Sequence, residues 1–470
     1  MATANHDALA ELKALSNIIR ENIDRLEATC KANGLEYPSS KAPYGPESEA
    51  ARNLPDAMEA GSLIVSAATQ LVAAVNPPPM TMFSLVGSFH IPAALRVVLE
   101  THTAEILHDA GPEGKHVNEI ARPTKKDPAK LARILRFLAT HHVFVEVSPD
   151  HFAHNRLSSL LDTHKSVDYI LANPDKKHEG TPGMTAVIGH FTDEAFKAAS
   201  YLGDVLLDPK TAFNVDASST GFNRAYNTDK NVFDWFETPG NEWRLTRFGI
   251  AMDGAKSMSP PGAILEGFDW KGMKEGSLVV DVGGGVGSQS LTLAQNHPHL
   301  QFIVEDRTEF WNSNLPEHVQ SGKVQFQAYN FLEDAQPIKN ADIFLLRAIL
   351  HDWADPYCLT ILRHLRAAAA PTTRLIVVDN LIPYACEEKS TEDIPGAERR
   401  LPPAPLLANR GQANAIPYIT DIQMMALLNG QERTITHVRN LLEQTGWKLV
   451  QVYHGSPFAM TNQKAIAVPV

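Results

Sequence analysis

Four glycines in seven residues, DVGGGVG at Asp281–Gly287, stand between an apolar run, SLVVDV (277–282), and a helical pattern, SLTLAQNHP. A chain passes from a buried strand straight into a helix most readily where glycine permits positive φ and close approach of the main chain. Such a loop also leaves backbone amides at a helix N-terminus, where polar and anionic ligand groups are favoured. This feature predicts an α/β unit that holds a ligand at the carboxyl edge of its sheet.

The residues after Trp270 extend that reading. Short β-rich runs alternate with helical patterns: QFIVED (301–306), KVQFQAYN (323–330), ADIFLLRAIL (341–350), a helix through 354–370, and RLIVVDN (374–380). Alternation of this kind predicts a parallel, doubly wound sheet. A helix near 433–445 is followed by KLVQVYH and AIAVPV, whose short separation predicts an antiparallel closing pair. Residues 383–418 break the pattern with a long Pro-, Ala- and charge-containing insertion, the kind of segment that serves as a lid or spacer.

The glycine spacing narrows the ligand. A dinucleotide fingerprint starting at Gly283 needs glycine or alanine at 288, where Ser288 stands. The D-x-G-x-G-x-G spacing is that of S-adenosylmethionine sites, which accommodate no pyrophosphate. An acid closing the second strand, about 20 residues on, would hold the ribose hydroxyls. Asp306 occupies that place, with Glu305 beside it. A structural turn plus a solvated acid is the plain alternative. The order strand, glycines, helix, strand, acid favours a nucleoside, and S-adenosylmethionine ahead of NAD.

His351 lies just past the carboxyl end of the fourth strand, in ADIFLLRAILHDWADPYC. A lone histidine is more often structural than catalytic, but this one falls on the ligand-binding edge. Asp379 ends the next strand and lies near His351 if the two strands are neighbours. A carboxylate bonded to one imidazole nitrogen fixes the tautomer and leaves the other nitrogen as a base. That suits methyl transfer to a phenol, whose pKa near ~10 makes the neutral form a poor nucleophile at pH 7.

The first half reads as helix after helix. Residues 6–32 and 56–75 carry apolar faces that suit packing on another subunit. Residues 85–155 suggest a winged helix-turn-helix, with DPAKLARILRFLATHH in the recognition position, Asp127 as N-cap, and VFVEVSPDHFAHN as the wing. Here composition decides between two uses of that shape. A net charge of −12 disfavours a phosphate backbone, so a protein–protein module is expected, and no nucleic acid. Cys30, Cys358 and Cys386 are too few and too scattered for a disulfide scaffold or a zinc cluster, so no metal is expected. The amino terminus lacks a signal-peptide core, and the most apolar stretch, Leu63–Val75, is shorter than the ~20 residues of a bilayer span. No membrane partner and a cytoplasmic location are the resulting expectations.

The order of winged helix, DVGGGVG, acid, RAILHDW, IVVDNLIP and NGQERT resembles the S-adenosylmethionine-dependent O-methyltransferases of caffeic-acid type, found in plants and fungi, from about residue 85 onward. The resemblance implies a Rossmann-like class I methyltransferase domain preceded by an α-helical winged-helix dimerisation domain. It also implies a homodimer, and methyl transfer to a small phenolic or polyketide-like acceptor of secondary metabolism. It matches His351 to the general base, with Asp379 (usually glutamate in the family) and Glu432 as the flanking carboxylates. Asp281, Gly283, Gly285, Asp306, Asn330, Phe331 and Arg347 match cofactor-binding positions. Asn330-Phe331 stands where the family writes Asp-Met, and Arg347 where plant members carry lysine. Met424 matches a pocket-lining methionine, and the Phe222–Phe236 segment, with Trp235, matches another pocket wall. The expected domains are a helical extension at 1–80, a winged-helix domain at 81–175, a helical linker and pocket wall at 176–255, and a cofactor domain at 256–470.

Two other readings compete. A fold-mate could keep the cofactor yet catalyse a pericyclic rearrangement; such members tend to lose the histidine base, whereas His351, Asp379 and Glu432 are all present here. His190 is the candidate for a second polar pocket group in either case, or a core histidine. The other rival is a DNA-binding regulator, against which the acidic balance counts.

Overall fold

The structure is a computed structural model that describes residues 8–256, 262–307, 324–455 and 462–470. The first residues of the expected 6–32 helix and the start of KVQFQAYN lie outside the described residues. The chain divides into two compact units, each outlined below by itself.

One unit, comprising the described residues of Leu202–Asn231, Met258–Pro402 and Asn414–Val470, holds a seven-stranded sheet. Counting from the small sheet of the other unit (β1–β3, below), its strands are β4 Leu278–Val282, β5 Gln301–Asp306, β6 Val324–Ala328, β7 Ile343–Arg347, β8 Arg374–Asp379, β9 Trp447–Tyr453 and β10 Gln463–Pro469. Their order is β6-β5-β4-β7-β8-β10-β9, with β10 antiparallel to both neighbours and the other pairings parallel. The doubly wound sheet and its closing antiparallel pair are therefore as expected.

Strands covered on both faces need apolar residues at successive positions. Val279, Leu345, Ile376 and Val378 enter one core, with Leu293 of the helix Ser288–Asn296. Val280, Phe344, Leu375 and Val377 enter the other, with Ile361 and Leu365 of Asp355–Ala368 and Val438 and Leu441 of Ile435–Glu443. The order reverses at β4, flanked by β5 and β7, and opens a crevice at its carboxyl end.

The other unit, the described residues of Met1–Tyr201, Val232–Ser257 and Pro403–Ala413, is mostly helical. Its helices Thr103–Leu107, Val117–Ala121 and Pro128–Thr140 surround a core of Val98, Ile120, Leu135 and Phe152. Asp127 caps the last of them by accepting from the amides of Ala129 and Lys130. Strands β1 Lys115–His116, β2 Val145–Ser148 and β3 His151–Ala153 form a small antiparallel sheet at the expected wing.

Three expectations need revision. The helices Ala8–Asn33 and Pro55–Val75 bury their apolar faces on each other, through Leu15, Ile18, Leu63 and Ala67, rather than leaving them for another chain. Leu406 of the insertion joins that core. Arg410 makes a two-pronged ion pair with Glu59, at 2.7 and 2.9 Å, and its carbonyl accepts from Ser66 Oγ. Residues 403–413 are thus a strap seated on the amino-terminal hairpin, not a free spacer. In the two compact units, residues 202–231 go with the sheet and the described residues from 232 to 256 with the helices.

The last revision concerns length. The helical stretches Pro55–Val75 and Pro78–Glu100 are 21 and 23 residues long and apolar enough to cross a membrane by length and composition. The sequence reading saw only the unbroken apolar core of the first. In this fold Pro55–Val75 spends its inner face on the neighbouring helix, whereas Pro78–Gly87 has no buried residue.

Candidate active site

The glycine loop turns through three residues in the left-handed region, with φ +73° at Gly283, +58° at Gly285 and +73° at Gly287. A Cβ at Gly284 would stand 2.7 Å from Asp281 Cγ, and one at Gly287 3.0 Å from a Val304 methyl, so close packing forbids side chains there. Gly285 differs. Among the described residues a Cβ there would meet only Asp306 Oδ2, at 4.0 Å, so its left-handed backbone beside an acid forms a cradle.

Asp306 Oδ2 accepts from Gly285 N–H at 2.6 Å. The half-buried carboxylate thereby ties the end of β5 to the loop after β4. Its neighbour Glu305 is fully buried and faces Gln336, whose amide donates to it at 2.8 Å. Burial, with Asp281 nearby, raises the Glu305 pKa to about 7. Of the adjacent acids, Asp306 is the one left at the cleft. Asp281 is buried and accepts from Ser290 Oγ at 2.7 Å, which pins the first turn of the helix behind the loop.

Asn330 and Phe331 follow β6. Asn330 Oδ1 accepts from Leu332 N–H, and Phe331 packs edge-on against Trp353. Arg347 ends β7; burial disfavours its charge, and Asp281 and Asp379 support it. Backbone turns and a half-buried acid at one sheet edge, with a cation and an aromatic ring beside them, fit a nucleoside cofactor bearing ribose hydroxyls and an adenine ring.

His351 sits in the 3₁₀ turn Leu350–Asp352, directly after β7. Its Nδ1 donates to Glu432 Oε1 at 2.9 Å, and the Glu432 side chain is wholly buried. Asn380 Nδ2 donates to the same oxygen at 2.8 Å, and Glu432 N–H donates to Asp421. Asp352 Oδ1 lies 3.5 Å from His351 Nε2. Asp379 reaches the cluster through charge: among the described residues its Oδ1 and Glu432 Oε2 are both buried without a hydrogen-bond partner. Burial opposes charge on His351, but Glu432, Asp352 and Asp379 outweigh it and raise the imidazolium pKa to about 10. Burial raises Asp379 to about 7 and Asp352 to about 6.

Several side chains that build this cluster were not singled out from the sequence. Arg433 donates to the carbonyls of Leu350 and Trp353 and pairs with Asp355, which staples the histidine turn. Gly430 lies so close to that turn that a Cβ would fall 2.2 Å from the His351 carbonyl oxygen. The NGQERT motif contained both, but its lone signal was the glutamate. Asn380 and Asp421 carried no signal, because each acts through Glu432.

The structure brings His351, Asp379 and Glu432 into one unit with the glycine loop, Asp306, Asn330, Phe331 and Arg347. Phe222 and Met424 are buried in that unit too, on helices Gly221–Tyr226 and Ala415–Leu428. Trp235, Phe236 and His190 belong to the other unit. There Phe236 packs on Phe248 and Trp235, and His190 Nδ1 donates to Glu194 at 3.1 Å within a buried ion network with Arg247.

Comparison with known proteins adds an independent line. Residues 211–395 match the O-methyltransferase domain family, and residues 83–163 match the O-methyltransferase dimerisation domain. An O-methyltransferase of Armillaria gallica is 41% identical, over 98% of this chain and 100% of the relative. A 4-O-methyltransferase of Phanerochaete chrysosporium is 38% identical, over 94% of this chain and 95% of its own length. Among solved structures, a pericyclic reaction enzyme aligns with a TM-score of 0.64 at 20% identity, covering 87% of this chain and 94% of that one, a likeness of fold alone.

Proposed function

Since this chain belongs to the S-adenosylmethionine-dependent O-methyltransferases, which methylate hydroxyl groups of small molecules, we propose that its acceptor is a phenolic hydroxyl and its base His351. The observation that carries this reading is the 2.9 Å hydrogen bond from His351 Nδ1 to the buried Glu432. That bond fixes the ring and its tautomer and leaves Nε2 to accept a proton.

When bound, the cofactor supplies an electrophilic methyl group on a positively charged sulfur. Asp306 would hold its ribose, the Gly283–Gly285 backbone would line its chain, and Asn330, Phe331 and Arg347 would flank the adenine end. Nε2 would take the proton of the acceptor hydroxyl, whose oxygen receives the methyl group while the cofactor leaves as a neutral thioether. Glu432, Asp352 and Asp379 raise the basicity of His351, which strengthens its pull on the acceptor's proton in the deprotonated enzyme. Glu432 steadies the imidazolium that results, and Asp379 and Asp352 add negative charge around it.

Phe222 and Met424, both buried in the unit that holds His351, support an apolar aromatic guest. The dimerisation-domain match and the exposed apolar helix Pro78–Gly87 support a homodimer. Free cysteines throughout, Cys386 exposed among them, support a reducing, cytoplasmic setting.

The test is a panel of phenols incubated with S-adenosylmethionine and scored for a one-methyl mass gain. His351→Ala should lose about 10²–10⁴-fold in turnover, the usual weight of a general base, while cofactor affinity stays within error. Retained turnover removes His351 as the base. A rearranged product formed without S-adenosylhomocysteine would instead point to the pericyclic reading.

A further inference from the structure

Far from the candidate active site in sequence, two loops of the helical unit meet at His108, Asp162 and His164. One ligand-capable atom from each lies within 4.8 Å of the other two. His108 follows the helix Thr103–Leu107, and Asp162 follows the short 3₁₀ turn Ser158–Leu161. Beneath them Thr163 donates to the buried Glu105 at 2.8 Å, so the loops are already fixed to each other.

The carboxylate is held in one attitude. Asp162 Oδ1 accepts from the His164 N–H at 2.8 Å, which turns Oδ2 toward both imidazoles. His108 Nδ1 lies 2.5 Å from that oxygen and His164 Nδ1 3.7 Å from it. The rings meet edge to face at 5.2 Å and 85°, so they do not stack. His164 holds a left-handed backbone at φ +58°, a conformation that histidine, like asparagine and aspartate, adopts more often than most residues. Asp162 is 5% exposed while the imidazoles are 45% and 68% exposed, which gives a firm anchor with two adjustable arms.

We propose that His108, Asp162 and His164 bind a single first-row transition-metal ion, zinc being the simplest occupant. Two imidazoles and one carboxylate suit zinc, cobalt or nickel and not the all-oxygen shells of calcium or magnesium. Tetrahedral zinc with bonds near 2.0–2.1 Å places its ligands about 3.3 Å apart; here the two histidine–carboxylate distances are 2.5 and 3.7 Å, and all three ligand atoms lie within 4.8 Å of one another. Rotation of exposed imidazoles closes the difference. The fourth position faces solvent. An ion here would cross-link two loops of the helical unit and bind only the folded chain, so it would raise thermal stability.

Tag-free, chelator-treated full-length protein is titrated with zinc chloride by calorimetry, and its melting temperature is followed with and without zinc. One zinc per chain and an upward melting shift are expected. His108→Ala and His164→Ala should each weaken binding by about tenfold or more and remove the shift. His351→Asn should leave both unchanged, because it alters a different imidazole–carboxylate cluster. Unweakened binding in either alanine variant, loss of binding in His351→Asn, or no zinc bound at all would overturn the proposal.

Discussion

At His351 two opposing effects meet: burial drives the imidazole toward neutrality, and three carboxylates drive it toward charge. The carboxylates prevail, so the folded pKa, about 10, stands above the ordinary 6.5. A base must be deprotonated to act, and kcat/KM reports the free enzyme. It should therefore rise with pH across the alkaline range toward about 10. Glu432→Gln keeps an acceptor for Nδ1 but removes the charge. Its pH–kcat/KM profile should rise at lower pH, and its plateau should be about tenfold lower or more. An unchanged alkaline limb would show that Glu432 does not set the base. Stability carries the same sign. A histidine raised by its partners contributes stability in full below 6.5, and loses it as pH climbs through about 10. The melting temperature of the wild type should fall more between pH 7 and 10 than that of Glu432→Gln.

Among elements, the sheet strands were legible because each is a short apolar run with its own turn chemistry. QFIVED coincides with β5 to the residue. The strap at 403–413 was illegible, since its partners lie some 350 positions earlier and it has no periodicity of its own. Leu406 supplies its apolar anchor and Arg410 its polar one. Arg410→Ala removes a paired, partly buried guanidinium and should cost about 1–2 kcal/mol. A lower melting temperature, and faster proteolysis within 400–413 by limited trypsinolysis, are expected. A variant indistinguishable from wild type in both would mean that the Glu59–Arg410 pair does not hold the strap, leaving it to Leu406 and the backbone bonds from Ser66 and Gln70.

For the whole molecule, the unexplained surface is the helix Pro78–Gly87, where Met80, Met82, Phe83, Leu85 and Val86 are all exposed. Apolar patches of this size mark contact surfaces. The helix overlaps the start of the dimerisation-domain match, so a second copy of the chain is the natural occupant. Phe83, 75% exposed, can be changed without touching the core. Phe83→Glu should shift sedimentation from dimer to monomer, with a more than tenfold weaker dimer expected from a charge set in an apolar interface. A variant dimer as tight as wild type would reject this surface. Vesicle binding lost in the variant while the dimer persists would assign the helix to lipid instead.

By itself the sequence determined the α/β class, the glycine loop and its acid, and the place of His351 on the sheet edge. These follow from local rules: short continuous apolar runs, glycine's tolerance of positive φ, and the fixed side of a parallel sheet at which loops gather. What lies across long sequence separations was decided by the tertiary structure alone. Glu432 rather than Asp379 holds Nδ1, because the 431–433 loop is pulled onto the histidine turn by Arg433 and by a glycine with no Cβ to resist. The strap found its hairpin, and His108 found Asp162, for the same reason. Side-chain partnerships over such separations depend on how packed elements place their ends, and no local pattern encodes that.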